Sequence, residues 1–162
     1  MNATIENWFQ RSKRLAGDYS FKGLKSMNGM DGMAWYGVLY FDNKSIGEVR
    51  DDGNGGMLYV KIDPAFKAQV KADSVAYYAA TKEETITDDT FKYVSAEEFF
   101  LPFLADSQEA RNKIAAKCKK VVCAIPADAK DGEYVAWKAG SLAHLESIKA
   151  KNPTYFFLNG NV

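Results

Sequence analysis

The sequence predicts an α+β fold in which an antiparallel β-meander or sheet carries helices packed on one face. Three observations lead to this fold class. Aromatic and β-branched runs separated by turn signals fill the first half, capping signatures before apolar stripes fill the middle, and short apolar runs flank a helix near the end. Neither a repeat nor a Pro/Gly-rich linker divides the chain, so we expect a single domain over residues 1–162.

The first part of the chain predicts one helix followed by strands. An amphipathic stretch at about 4–15 places Ile5, Trp8 and Phe9 on one side, which predicts an N-terminal helix. Strand patterns then occupy about 19–62 as DYSFKGLKSM, AWYGVLYF, SIGEVR and MLYVKI, with turn signals between them. These four strands predict a β-meander.

Helical signals dominate at about 64–118. A capping aspartate before Pro64 predicts a helix start, because proline needs no amide partner at the first helical position. Ser95 and Glu98 form a capping box before a phenylalanine-rich stripe, and Pro102 limits or kinks that helix. A repeat of the capping pattern at Asp106 predicts a second helix, and the acidic segment KEETITDDT predicts an exposed loop.

The last part, about 119–158, predicts a β-hairpin, a helix and a strand. KKVVCAI is a short apolar run typical of a buried strand, and YVAWKA returns after the acidic loop PADAKDGE. Ser141 can cap the helix, and Asn152 before Pro153 ends it, because a residue preceding proline avoids the helical region. TYFFL predicts a terminal strand.

Composition narrows the class of protein. Apolar residues make up 47% and charged residues 26%, as in ordinary globular proteins. Lysine plus arginine number 21, as do aspartate plus glutamate, and this zero net charge disfavours a protein that depends mainly on phosphate contacts. The N-terminus lacks the apolar core of a signal peptide, and no apolar run could span a bilayer. We therefore expect a soluble, cytoplasmic protein.

The segment DDGNGG at 51–56 is the first candidate site. Clustered oxygens on a glycine loop could hold calcium or magnesium. The spacing does not match an EF-hand, and glycine and asparagine also supply the positive φ that tight hairpins require. We interpret the segment mainly as a turn and keep Asp51 and Asp52 as weak metal-ligand candidates. Phosphate binding is disfavoured, because adjacent carboxylates repel phosphate.

Catalytic and cofactor signals are few. His144 is the only histidine, and its position inside a predicted helix favours a packing or surface role. Cys118 and Cys123 supply too few ligands for zinc, so we expect reduced, buried thiols. Carboxylate pairs such as Glu83-Glu84 are sequence neighbours, whereas catalytic pairs come from distant segments. We therefore expect neither a catalytic residue nor a cofactor.

Two basic clusters are candidates for contact with a partner or with nucleic acid. One surrounds the end of the predicted N-terminal helix and the first strand, and the other surrounds the end of a later helix. Nearby aromatic side chains at Phe9, Tyr19 and Phe21 could add stacking, although cations at a helix C-terminus also complement its dipole. The candidates are Trp8, Arg11, Lys13, Arg14, Lys22, Lys25, Lys117, Lys119 and Lys120.

One long segment resembles a known type of hairpin. LKSMNGMDGMAWYGVLYFDNKSIGEVRDDGNGG resembles small proteins encoded by phages and other mobile elements, in which F-K-G-L-K-S precedes A-T-L-Y-x-D-G-K-K-I-G and an Asp-Gly-x-Gly-Gly turn. The C-terminal order of basic strand, acidic hairpin, helix and ILN-like end is also similar, here KKVVCAI, GEYVAWKA and LAHLESIKAKNPTYFFLN. This resemblance implies no catalytic residue. GEVRDDGNGGMLYVKI is also similar to the KOW-type hairpin of transcription and ribosomal proteins, but with an acidic tip.

Three functions follow from these features. The first is a non-enzymatic phage-type accessory protein that binds a host macromolecule, most readily a protein or protein complex, and modulates or inhibits it. The alternative is a nucleic-acid-binding module that uses the KOW-like hairpin and the basic helix. A further alternative is a small metal-dependent enzyme around Asp51 and Asp52. None of the three involves a membrane, and the sequence leaves the oligomeric state open.

Overall fold

The computed structural model describes residues 6–81 and 95–159 and confirms the predicted α+β class. The predicted loop KEETITDDT lies outside the described residues. The described elements, in chain order, are α1 Trp8–Ala16, β1 Tyr19–Asn28, β2 Met33–Phe41, β3 Lys44–Asp51, β4 Tyr59–Ile62, α2 Lys67–Thr81, α3 Glu97–Cys118, β5 Val122–Ile125, β6 Val135–Trp137, α4 Leu142–Lys151 and β7 Phe156–Phe157.

The chain forms two compact units, each with its own antiparallel sheet. The terminal unit consists of Met1–Leu15 and Glu109–Val162, and the central unit consists of Ala16–Gln108. The predicted strands therefore divide between a four-stranded and a three-stranded sheet. Whether the two units behave as one folding domain, as the sequence predicts, stays a prediction.

The sheet of the central unit is the predicted meander, in the order β1-β2-β3-β4. Strand β1 pairs with β2 from Tyr19 opposite Phe41 to Asn28 opposite Met33. The register shifts between Lys22 and Lys25, where an extra residue makes a β-bulge. Every strand of this sheet therefore connects directly to its neighbour along the chain.

Helices α2 and the first part of α3 cover one face of this meander, as predicted. Period-2 alternation in β2 points Trp35 and Leu39 into the core, where they meet Val70 from α2 and Leu101 from α3. The Gln108 side chain pairs with the free edge of β1: its Oε1 accepts from the amide of Phe21 at 2.7 Å, and its Nε2 donates to the carbonyl of the same residue. This amide acts as a short substitute for a neighbouring strand.

Helix α3 departs from the prediction in two ways. It runs without interruption from Glu97 to Cys118, so the predicted second helix start at Asp106 is wrong. An internal proline costs about 3 kcal/mol, but Leu101 and Leu104 on either side of Pro102 are fully buried, and each contributes about 1.5–3 kcal/mol. The carboxylate of Glu98 accepts from the amide of Leu58 at 3.2 Å instead of closing the predicted capping box.

The terminal unit is built around the central strand of its sheet, whose order is β6-β5-β7. All four residues of β5 are buried, and two of them, Cys123 and Ile125, pack in one cluster with Trp8, Phe9, Ile114 and Leu158. Ser141 caps α4 as predicted, since its Oγ accepts from the amide of His144 at 3.2 Å. Within residues 6–81 and 95–159, no helix is both long enough and apolar enough to cross a bilayer.

Candidate interaction surface

The glycine-rich segment connects β3 to β4 and packs against the β1–β2 loop. The amide of Asp31 donates to the carbonyl of Gly53 at 2.8 Å. Gly53 has φ +65°, and a Cβ at this position would lie 2.8 Å from the amide nitrogen of Ala34. The backbones of the two loops therefore approach so closely that only glycine fits at position 53.

Both carboxylates of this segment already have protein partners. The Oδ1 of Asp51 accepts from the amide of Gly53 at 2.7 Å, which closes an Asx turn. The Oδ1 of Asp52 lies 2.9 Å from the Nε of Arg50. Across the described ranges, no group of three or more His, Cys, Asp or Glu side chains is placed to hold a metal ion. These contacts support the turn interpretation, and a metal at Asp51 and Asp52 stays an untested prediction.

Exposed apolar side chains concentrate at the same end of the meander. Seven of the ten large apolar side chains that are exposed among the described residues lie in 27–36 and 57–60. Met30 is 90% exposed and Met57 is 81% exposed. Scattered exposed apolar residues are normal, whereas a concentration of them at one end of a sheet points to an interaction surface. By the register, Met27, Tyr36 and Tyr59 lie on one side of the sheet, and Met33 and Val60 lie on the other. We call this group the tip surface: Met27, Met30, Met33, Tyr36, Met57, Tyr59 and Val60.

The face of the meander opposite α2 and α3 carries tyrosines and cations in cross-strand rows. Lys25 pairs with Tyr36, Tyr36 with Arg50, and Arg50 with Tyr59, so one row crosses all four strands. The guanidinium carbon of Arg50 lies 5.2 Å from the ring centroid of Tyr59. We call this surface the open face: Lys22, Lys25, Tyr36, Val38, Tyr40, Glu48, Arg50, Tyr59 and Lys61.

A depression of about 260 Å³ lies where the open face meets the tip surface. Its position follows from the register, because Met27 stands opposite the small Ala34, next to the pair formed by Lys25 and Tyr36. The lining residues are Lys25, Met27, Ala34, Trp35, Tyr36, Arg50, Asp51 and Asp52.

The structure separates the predicted contact residues. Lys22 and Lys25 lie on the open face of the central unit, and the Nζ of Lys22 sits 4.2 Å from the ring centroid of Tyr40. Trp8 is wrong as a contact candidate, because it is 4% exposed and its Nε1 donates to the carbonyl of Glu133 at 2.8 Å. The aromatic neighbours Phe9, Tyr19 and Phe21 are buried as well, so they cannot stack on a ligand.

The remaining predicted cations belong to the terminal unit. Arg11 pairs with Asp131, and Arg14 donates to both carboxylate oxygens of Glu6 at 2.7 and 2.9 Å. The hydrogen bond from Arg14 lowers the pKa of that glutamate. The Nζ of Lys13 lies 5.1 Å from a phenylalanine ring. The exposed lysines at the C-terminus of α3, where cations complement the helix dipole, are Lys117, Lys119 and Lys120.

The structure places the histidine at the surface, Cys123 in the core and Cys118 half-buried. His144 is exposed near the start of α4, and its backbone amide serves the helix cap. Cys123 is fully buried, and this burial raises the pKa of its thiol to about 12. A thiol with a raised pKa forms little of the thiolate that attacks substrates.

Sequence reasoning missed the tyrosines, Arg50 and the methionines of this surface, although two signals pointed to them. The alternation in AWYGVLYF already separates Trp35 and Leu39 from Tyr36 on the opposite face. Four of the five methionines lie between Met27 and Met57, close to the two glycine-rich segments.

No protein-family model, curated protein or solved structure matches this chain. The resemblance to proteins of phages and other mobile elements therefore stays a prediction, as does the similarity to a KOW-type hairpin.

Proposed function

We propose that this chain is a non-enzymatic accessory protein that binds another protein through the tip surface and the open face and modulates its activity. The observation that carries this proposal is the concentration of exposed methionine and tyrosine at one end of the meander. Methionine adapts to irregular partner surfaces, and tyrosine, methionine and arginine are enriched where proteins meet.

Burial of the exposed methionines alone gives too little free energy for a stable complex, so binding through this surface requires further contacts. Fully burying an exposed methionine side chain contributes about 1.5–3 kcal/mol, so the four methionines, which are 51–90% exposed, supply at most about 6–12 kcal/mol. Association itself costs about 4–15 kcal/mol in lost freedom of motion. The methionines alone are therefore marginal, and a stable complex also requires anchors such as Tyr36, Tyr59 and Arg50, residue types that dominate interface hot spots.

The resemblance to mobile-element proteins supports a host protein or protein complex as the partner. Such an accessory protein acts by covering a surface of its target. A sheet whose two end loops are held together by a hydrogen bond is suited to this role. The hydrogen bond from Asp31 to Gly53 fixes the two tip loops against each other, which limits the ordering cost of binding.

Nucleic-acid binding is the second candidate, and one observation favours it. The open face combines four cations with three tyrosines, and such a surface can hold phosphates and stack bases. Two of the cations face carboxylates, because Arg50 pairs with Asp52 and Lys61 stands opposite Glu48. Since the tip is also acidic at Asp31 and Asp51, a protein partner fits the whole surface better.

A capture experiment with matched variants tests the proposal. The tagged full-length chain is compared with the double variant Met30→Asp/Met57→Asp and with Leu142→Asp, which changes a side chain that is 74% exposed on α4. We expect wild type and Leu142→Asp to retain the same stoichiometric protein from a lysate of the host cell, with and without nuclease. The double variant should lose it.

Two results would overturn the proposal. Equal retention of every protein by wild type and the double variant would remove the tip surface as the contact. Loss of all partners on nuclease treatment would instead identify nucleic acid as the ligand.

A further inference from the structure

We infer that the 260 Å³ depression on the open face is an anchor pocket that takes one aromatic side chain of the partner protein with a carboxylate beside it. This inference rests on the proposed function and specifies the chemistry of the partner segment. It is carried by the size of the pocket, by its apolar walls and by the cations at its rim.

The volume limits what can enter. Pockets for cofactors and drug-sized ligands occupy about 300–1,000 Å³. At about 260 Å³ and open to solvent, this pocket lies just below that range, and it has room for one aromatic side chain because a cavity of about 150 Å³ holds a benzene ring. A side chain that is part of a larger docked surface is therefore a better occupant than a free cofactor.

The walls are suited to an aromatic ring. Met27, which is 70% exposed, and Tyr36, which is 39% exposed, come from neighbouring strands on the same face. Thioether sulfur and tyrosine both make favourable contacts with aromatic rings. Ala34 lies opposite Met27 in the register, and its single methyl group leaves the space between them open.

The rim charges favour a carboxylate next to that ring. Across residues 6–81 and 95–159, Lys25 has no carboxylate within ion-pair distance. Asp52 engages the Nε of Arg50, whose guanidinium carries four further N–H donors. Asp51 is occupied by the amide of Gly53. The rim carries two cations and two carboxylates, and Lys25 is the cation that no described carboxylate neutralises, so Lys25 can pair with one incoming carboxylate.

Short peptides test the pocket directly. The probes are acetyl-Asp-Phe-Asp-amide, acetyl-Asn-Phe-Asn-amide and acetyl-Asp-Ala-Asp-amide, with uridine monophosphate as the nucleotide probe. In ¹H–¹⁵N NMR titrations of the full chain, we expect the first peptide to shift the amides of Ala34 and Tyr36 saturably, with a Kd below about 10 mM. The asparagine peptide should bind several-fold more weakly, and the alanine peptide should not saturate.

Two variants localise the effect. Ala34→Ile fills the pocket without changing a charge and should abolish saturable binding, while Val38→Ile adds a methylene group on the same strand and face outside the pocket and should not. Lys25→Gln should reduce the affinity for the aspartate peptide to that for the asparagine peptide. Absence of saturable binding, unchanged binding by Ala34→Ile, or tighter binding of the nucleotide would overturn the inference.

Capture of the partner separates this inference from the proposed function. If Met30→Asp/Met57→Asp loses the partner and Ala34→Ile retains it at full strength, the tip surface is the contact and the anchor pocket is wrong. If the peptide binds the pocket but no variant changes what the chain captures, the proposed function is wrong and the pocket chemistry stands.

Discussion

Gly53 shows how one residue fixes the geometry of the tip. It combines a left-handed φ with a site where any Cβ would lie 2.8 Å from a backbone nitrogen. Gly55 has a similar φ of +69°, but a Cβ there would have no neighbouring atom within 4 Å. Substitution at Gly55 therefore introduces backbone strain alone, whereas substitution at Gly53 introduces backbone strain and a steric clash.

We expect Gly55→Ala to lower the free energy of unfolding by about 1–2 kcal/mol, because only the left-handed conformation penalises it. Gly53→Ala should cost about 2–5 kcal/mol, because the clash with the neighbouring loop adds to that strain. Urea denaturation of both variants measures the difference. Equal losses would contradict the close approach of the two tip loops.

A buried tyrosine links stability to alkaline pH. The hydroxyl of Tyr19 donates to the Oδ2 of Asp73 at 2.7 Å. Burial raises the pKa of Tyr19 above its ordinary value of 10, and the hydrogen bond and negative charge of Asp73 raise it further. Because the raised pKa belongs to the folded state, the stability it provides is complete below pH 10 and is lost as the pH rises above that value.

Tyr19→Phe removes this contact and should lower the free energy of unfolding at pH 7 by about 1–3 kcal/mol. The difference between wild type and variant should stay constant to about pH 9 and shrink above pH 10. Chemical denaturation between pH 7 and pH 11 gives the comparison. A difference that does not change with pH would show that the tyrosine hydroxyl is not buried against Asp73.

At the scale of elements, strand β1 is an edge strand that a helix protects. Gln108 on α3 forms hydrogen bonds with both the amide and the carbonyl of Phe21, which are the groups that a further strand would otherwise bind.

Gln108→Ala should lower the free energy of unfolding by about 1–3 kcal/mol and accelerate hydrogen exchange at the amide of Phe21. Gln69→Ala, which removes one exposed side-chain bond to Asp73, is the control and should leave that amide protected.

Helix α3 illustrates where local signals mislead. Pro102 and the capping pattern at Asp106 indicate a break, yet the helix continues through both. The burial of Leu101 and Leu104 outweighs the lost hydrogen bond of proline. Local propensity predicted the helix, but only the packing against the meander decided its length.

Because the whole molecule has zero net charge, we expect the affinity for its partner to depend only weakly on salt concentration. A complex held by methionine and tyrosine contacts should lose less than about tenfold in affinity between 50 and 200 mM NaCl, because exposed charges contribute little to it. A protein making 6–10 phosphate contacts would lose about 10³–10⁵ over that range. Retention of the captured partner across this salt series distinguishes the two modes, and a steep loss would favour nucleic acid.

The candidate surface was only partly predictable. The sequence predicts Lys22 and Lys25 as contacts, and the structure places both on the open face, while their role in contact stays a prediction. Trp8 was predicted with them but is buried, because an amphipathic helix shows which side is apolar without showing what covers it. Arg50 and Tyr59 lie on strands beyond β2, and their alignment with Lys25 depends on three strand registers.

The strands of the meander, the Ser141 cap and the glycine-rich turn can be predicted from the sequence, because period-2 alternation, capping and positive φ act between residues close in the chain. Tertiary structure alone decided the partner of Glu98, the continuity of α3 and the pocket beside Ala34. These features depend on contacts between residues distant in sequence, where burial energies of a few kcal/mol override local preferences.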